Sequence, residues 1–269
     1  MTSPRDGGLW MPTWTLWRRE MVRFLRQRSR IIGAFGTPVV FWLIAGLGIG
    51  KSLRLPGGDD SVNYLQYSFP GAIASILMFT AIFSTISVIE DRREGFLQAV
   101  LVAPVSRATV VLGKILGGTT LALGQAILLL LAAPLLGLTL GPLDVVLVVG
   151  VLFAIAFGLT TLGFLIAWKM ESTQGFHAIM NLVLMPMWFL SGAFFPATGA
   201  PTWLRFLMTM NPLTYGLAAL RRALYPRLVT VGADVPTLAL SIAVTCGFAV
   251  LAFLAARALV ARPLDVSLA

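Results

Sequence analysis

"SVNYLQYSFPGAIASILMFTAIFSTISVIEDRREGFLQAVLVAPVSR", residues 61–107, decides how this chain is read. Its first 29 residues, 61–89, carry no charge, and the next five are all charged. A helix needs roughly 20 apolar residues to cross the hydrocarbon core of a bilayer. A buried helix of a soluble domain rarely runs so far without a charge. The stretch therefore reads as a membrane crossing that emerges into water at Glu90.

The same reading extends outward. Uncharged runs recur at 31–50, 115–143, 145–168, 172–204 and 235–256. The chain is 58% hydrophobic, with a mean hydropathy of +0.88, above the apolar share of ordinary soluble domains. Six transmembrane helices are expected, at 31–50, 67–89, 115–136, 145–168, 176–195 and 236–257. The fold class is all-α: a polytopic integral membrane protein forming one integrated domain over 1–269. The first run is longer than the apolar core of a signal peptide and is expected to stay as a crossing. Cys246 is the only cysteine, which excludes an intramolecular disulfide framework and a cysteine-based metal cluster.

The formal charge of +9 is explained by topology. With six crossings, fourteen Lys and Arg fall on the side of the N-terminus and six on the other. The positive-inside rule then places both termini in the cytoplasm, in the cell's inner (plasma) membrane. No nucleic-acid partner is needed to account for the charge. Residues 13–29, "TWTLWRREMVRFLRQRS", have helical periodicity. Trp14, Trp17, Met21, Phe24 and Leu25 share one face, and Arg18, Arg19, Arg23 and Arg26 fill much of the rest. The pattern is that of an amphipathic helix lying in the cytoplasmic interface against membrane lipid. The same arginines also serve as a plain topology signal.

Between the last two crossings, residues 191–227 are apolar but broken by Pro196, Pro201, Pro212 and Pro226. Proline is tolerated in the first turn of a helix, so short helices are expected over 201–210 and 212–224. Leu213, Leu217, Leu220 and Leu224 form a stripe on the second. Neither reaches bilayer length. A re-entrant outer pair over 201–224 and a helical loop on the outer surface are equal readings.

Catalytic chemistry is sparse. His177 is the only histidine, and no Asp or Glu clusters near it in sequence. The crossings hold mild polar groups such as Thr80, Gln125, Thr160 and Asn181, rather than the ionisable residues of a proton relay. "AGLGIGKS", residues 45–52, ends like a phosphate-binding loop, but Ala45 stands where the first glycine is required. It also closes an apolar helix instead of following a strand.

The burst at 90–107 lies in the cytoplasm. Helix is expected to continue from the crossing through 92–102, with Phe96, Leu97, Val100 and Leu101 as an apolar ridge, and to stop before Pro104. Alternating charge at Glu90, Arg92, Arg93 and Glu94 beside such a ridge fits docking to another protein. A solvated linker followed by an interfacial helix fits equally well.

These residues carry a family resemblance. "EDRREGFLQAVLVAPVSRATVVLGK", residues 90–114, resembles the signature of the membrane subunits of type-2 ABC exporters: a charge cluster, Gly95, Leu101, Pro104-Val105-Ser106-Arg107, then Gly113-Lys114. "SGAFFP" at 191–196 and "NPLTYGLAALRRAL" at 211–224 resemble a second family pattern, with Asn211, Pro212, Leu213, Thr214, Tyr215 and Arg221 in place. The resemblance spans nearly the whole chain and is nearest to permeases of the daunorubicin drug-resistance type. Phe96 stands where family members carry threonine, a departure that bears on partner packing.

The resemblance implies a partnership. Two permease subunits pair, as a homodimer in preference to a heterodimer, and each docks on a separate ABC ATP-binding subunit. ATP and magnesium sit in that partner, and this chain binds no cofactor or metal and is not itself an enzyme. Glu90, Arg92, Arg93, Glu94, Gly95, Phe96, Leu97, Val100, Leu101, Pro104 and Arg107 are implied as the coupling segment, with Lys169 and Glu171 as a second contact. Trp203, Asn211, Pro212, Tyr215 and Arg221 are implied as an outer gate. Asn181, Trp188 and Ser191 are candidates for the substrate pathway. The expected function is outward movement of a hydrophobic or amphipathic substrate: a drug, a lipid or a lipid-linked glycan. The alternatives are an ion-coupled secondary carrier and, behind it, a membrane-embedded enzyme.

Overall fold

The computed structural model describes residues 10–49, 64–195, 197, 200–225 and 236–261. All regular structure among them is helical. Ten α-helices follow in order: α1 (Trp10–Arg26), α2 (Arg28–Ile49), α3 (Tyr64–Arg93), α4 (Phe96–Val102), α5 (Arg107–Leu130), α6 (Pro142–Lys169), α7 (Thr173–Phe189), α8 (Thr202–Met210), α9 (Pro212–Leu224) and α10 (Leu238–Ala261). Residues 50–52 of the glycine-rich stretch, and the loop around it, lie outside the described residues.

Among the described residues, five helices are long and apolar enough to cross a membrane: α2, α3, α5, α6 and α10. The expected crossing at 176–195 is helical only as far as Phe189, as the 17-residue α7. At 1.5 Å per residue that is about 25 Å, short of the ~30 Å hydrocarbon core.

The 30-residue α3 forms the axis of the bundle. It packs on α2, α5, α6 and α7, and most of its length is buried. Ile73, Ile76, Leu77 and Met78 are wholly enclosed, as are Phe164 on α6 and Phe176 on α7. The helices at the edge turn apolar side chains outward: Ile44 and Leu47 on α2, Leu182 on α7, Leu251 on α10. In water such faces would be unstable, whereas in lipid they are the expected surface.

Two expected boundaries move. The helix expected over 13–29 runs from Trp10 to Arg26, and Arg28 begins the next helix. The segment expected to couple, 90–107, is not one helix with the crossing. Gly95 takes φ +74°, a left-handed conformation that ends α3 and starts α4 as a separate helix. An added Cβ there would meet only Gln98 Oε1, at 3.9 Å, so glycine is needed for the backbone and not for space.

Candidate functional site

The end of the bundle expected to face the cytoplasm is organised around Asp91, a residue that no sequence pattern singled out. Its side chain is fully buried. Arg19 of α1 donates to both carboxylate oxygens, at 2.8 and 2.7 Å. Arg23 of α1 and Lys114 of α5 donate to it as well. Lys114 also donates to Glu20 at 2.7 Å. Arg23 reaches Glu90 at 3.0 Å and Glu94 at 3.1 Å, and Arg30 of α2 pairs with Glu90. Four cations (Arg19, Arg23, Arg30, Lys114) thus meet four anions (Glu20, Glu90, Asp91, Glu94) across four helices.

Burial explains why the cluster is balanced. Removing a charge from water costs several kcal/mol unless partners surround it. The Lys114 and Glu20 side chains retain only 2% and 6% exposure. Burial of Arg23 opposes its charge, but Asp91, then Glu90 and Glu94, outweigh that and raise its pKa above the ordinary arginine value.

Close helix approach makes these pairs possible. A Cβ on Gly113 would stand 2.8 Å from Leu16 Cβ, and one on Gly117 would stand 2.7 Å from Glu20 Cβ. The two glycines, four apart on α5, let α1 lie against it, as small residues do in membrane helix pairs. Trp17 Nε1 donates to Thr120 Oγ1 at 3.0 Å along the same seam. The inward face of α1 is therefore Thr13, Leu16, Glu20 and Phe24, while Trp14 and Leu25 point out. The expected single apolar face is split between protein and surroundings.

The remaining residues expected to couple are placed as follows. Arg92 donates to the Trp168 carbonyl and, at 3.2 Å, to that of Met170, with its guanidinium over the Trp168 ring. Arg93 Nε donates to the Glu171 carbonyl at 3.1 Å. Both arginines thus satisfy carbonyls at the C-terminal end of α6, where a cation also suits the helix dipole. They join the two segments expected to meet a partner, 90–107 and 169–175, into one surface. Phe96 lies under the Arg19 guanidinium, 3.7 Å from its centre. Leu97 is buried and Val100 packs on the core. Phe96, Leu97 and Val100 of the ridge thus serve the chain's own packing. Leu101 lies in α4. Outward on and beside α4 are Gln98, Ala99, Val102 and Pro104, with Glu94, Lys169 and Glu171 nearby in the joined surface. Arg107 donates to the Val260 carbonyl at 2.8 Å, tying α5 to α10.

The outer end is built differently. Asn211 Oδ1 accepts from the Leu213 N–H at 3.0 Å, capping α9, and Nδ2 donates to the Met187 carbonyl on α7 at 2.6 Å. Pro212 occupies the first turn. Leu213, Leu217, Leu220 and Leu224 are all buried, as their spacing predicts, against α3, α6 and α10. Arg221 is buried over the Tyr67 ring and donates to the Gly192 carbonyl at 3.0 Å. Tyr215 donates to the Thr209 carbonyl at 3.0 Å, and Trp203 on α8 stands exposed.

The three pathway candidates are not brought together. Asn181 faces outward on α7, while Trp188 and Ser191 are buried. Trp188 Nε1 donates to the Gly71 carbonyl at 3.1 Å and its ring meets Phe194 at 4.7 Å. The space beside Trp188, among α2, α3 and α7, amounts to about 10 Å³.

No periodicity could have linked residues 20, 91 and 114. The signal was available in another form. Glu20 is the lone acid within the basic N-terminal helix, and Lys114 is the last charge before a long apolar run. Isolated charges beside membrane helices require partners.

Apolar helices long enough to cross a membrane, locked together at one end by ion pairs with a short helix held against that lock, define an integral membrane protein. The chain belongs to the ABC-2 type transporter family, whose model matches residues 11–225, and is an ABC transporter membrane subunit. It is 28% identical to nodulation protein J of Rhizobium leguminosarum bv. viciae, over 98% of both chains. It is 29% identical to the putative transport permease ycf38 of Cyanophora paradoxa, over 76% of this chain and 71% of that one. Nodulation protein J of Sinorhizobium fredii is 27% identical over 93% of this chain and 92% of its own length.

Proposed function

We propose that this chain is the permease half of an ATP-driven exporter, working as a pair of copies with a separate ATP-binding subunit on each. It carries a hydrophobic or amphipathic substrate, such as a drug, a lipid or a lipid-linked glycan, from the cytoplasmic side outward. In this reading α7 completes a set of six crossings and both termini are cytoplasmic. The observation that carries it is the ion cluster at Asp91. It binds α1, α2, α3 and α5 at one end, while Arg92 and Arg93 tie in the end of α6. A push on α4 and the loop after α6 then reaches several crossings together. Family membership implies an ATP-binding partner to deliver that push.

The docking face is the outward side of α4: Gln98, Ala99, Val102 and Pro104, flanked by Glu94, Lys169 and Glu171. Arg92, Arg93, Phe96 and Leu97 position that face from behind. Asn211, Pro212, Tyr215, Arg221 and Trp203 belong to the outer gate. The resemblance to drug-resistance permeases supports export, and the likeness to a putative transport permease supports transport; neither chooses a substrate.

The test is ATP-dependent uptake into inside-out vesicles holding the chain and its ATPase. Val102→Glu should abolish uptake and co-purification of the ATPase, with the chain still at wild-type abundance in the membrane. Uptake that ignores ATP and collapses with an ionophore would sink the reading.

A further inference from the structure

Beside the ion cluster lies an open groove of about 630 Å³ that the coupling reading does not use. Arg18, Arg19, Arg23 and Arg26 of α1 line it, with Gln27 at its end and Glu94 the one acid. The two inner arginines are fixed from behind: Arg19 by Asp91, and Arg23 by Asp91, Glu90 and Glu94. The two outer ones, Arg18 and Arg26, are exposed and make no ion pair with a described residue. Because the cluster is balanced within itself, these two are unneutralised charge.

We infer that this groove is a binding site for the phosphate of an anionic phospholipid. Guanidinium groups match phosphate oxygens in pairs, and those of Arg19 and Arg23 are already held in place. The choice of lipid rests on what shares the exposed face with Arg18 and Arg26. Trp14, Val22 and Leu25 are 51%, 42% and 57% exposed, and Trp10 and Met11, at 76% and 75%, continue the face toward the N-terminus. Arg18 sits one turn from both Trp14 and Val22. An acidic protein segment would satisfy the arginines and leave this apolar rim in water. A phospholipid satisfies both, with its phosphate on the arginines and its acyl chains beside Trp14 and Leu25. The site follows from the chain's place in a membrane and holds whether or not the protein is an exporter.

The experiment uses the full-length chain in detergent, titrated with phosphatidylglycerol or phosphatidylcholine and read by native mass spectrometry. Wild type should retain phosphatidylglycerol and release phosphatidylcholine. Arg18→Gln with Arg26→Gln touches neither the ion cluster nor the core. It should weaken phosphatidylglycerol binding roughly thirtyfold, from the usual gain per arginine at an anionic surface. Arg18→Lys with Arg26→Lys should keep most of that affinity. Equal retention of the two lipids, or unchanged binding in the double glutamine variant, would overturn the proposal. So would displacement of the lipid by millimolar inorganic phosphate, which would mark a free-anion site. If the double glutamine variant loses its ATPase while holding the lipid as tightly as wild type, the groove belongs to the partner protein and the inference fails.

Discussion

Asp91 draws three cations from two other helices onto one carboxylate, with no water exposure. Replacement by asparagine keeps the shape and removes the charge, so Arg19, Arg23 and Lys114 lose their shared anion. Breaking a buried ion pair from one side costs about 3–5 kcal/mol. Asp91→Asn should therefore lower the thermal unfolding temperature of the purified chain sharply. Lys114→Met takes the closer cation from Glu20 and leaves it only Arg19, at 3.5 Å. Glu20→Gln combined with Lys114→Met removes both members, and the double variant should lose less stability than the two single losses added together. Additive losses would show that the two residues act independently. The comparison also separates a structural pair from a surface one, since exposed pairs contribute at most about 1 kcal/mol.

At the scale of elements, α1 and α4 owe their positions to glycines used in opposite ways. Gly117 is needed for space. Gly117→Val should push α1 from α5, break the Trp17–Thr120 bond, and expose α1 to limited proteolysis of the purified chain. Gly124 on the same helix has no atom within 4 Å of where its Cβ would be. Gly124→Ala should leave protease sensitivity unchanged and gain a little stability from helix propensity, up to about 1 kcal/mol. Gly95 is needed for its left-handed backbone. Gly95→Ala should cost about 1–2 kcal/mol and favour helix running straight on from α3, turning α4 away from the α6 end. The expected result is normal insertion with transport uncoupled from ATP hydrolysis, read as ATPase activity that no longer responds to substrate.

For the whole molecule, what could be read from the chain follows the range of the physics involved. Apolar run length gave five of the six expected crossings as helices of spanning length, because hydrocarbon thickness acts on each segment alone, and it missed that the fifth run stops being helical at Phe189. The leucine stripe of α9 was legible because a helix repeats locally. The split face of α1 was not, since burying Leu16 and Glu20 depends on glycines at 113 and 117. The ridge at Phe96 pointed to burial correctly, but only the left turn at Gly95 decides against what. The outer pair poses the same problem in reverse. α9 is enclosed by α3, α6 and α10, whereas α8 exposes Trp203, Phe206, Leu207 and Met210. Four large apolar side chains on a nine-residue helix would be costly in water and call for cover by lipid or protein. A re-entrant pair buries them more deeply than a surface loop does, and the two can be told apart at Phe206. In a Cys246→Ser background, Phe206→Cys should react in intact cells with a membrane-permeant maleimide and resist an impermeant one. Rapid labelling by the impermeant reagent would place α8 on the outer surface and remove it from the gate.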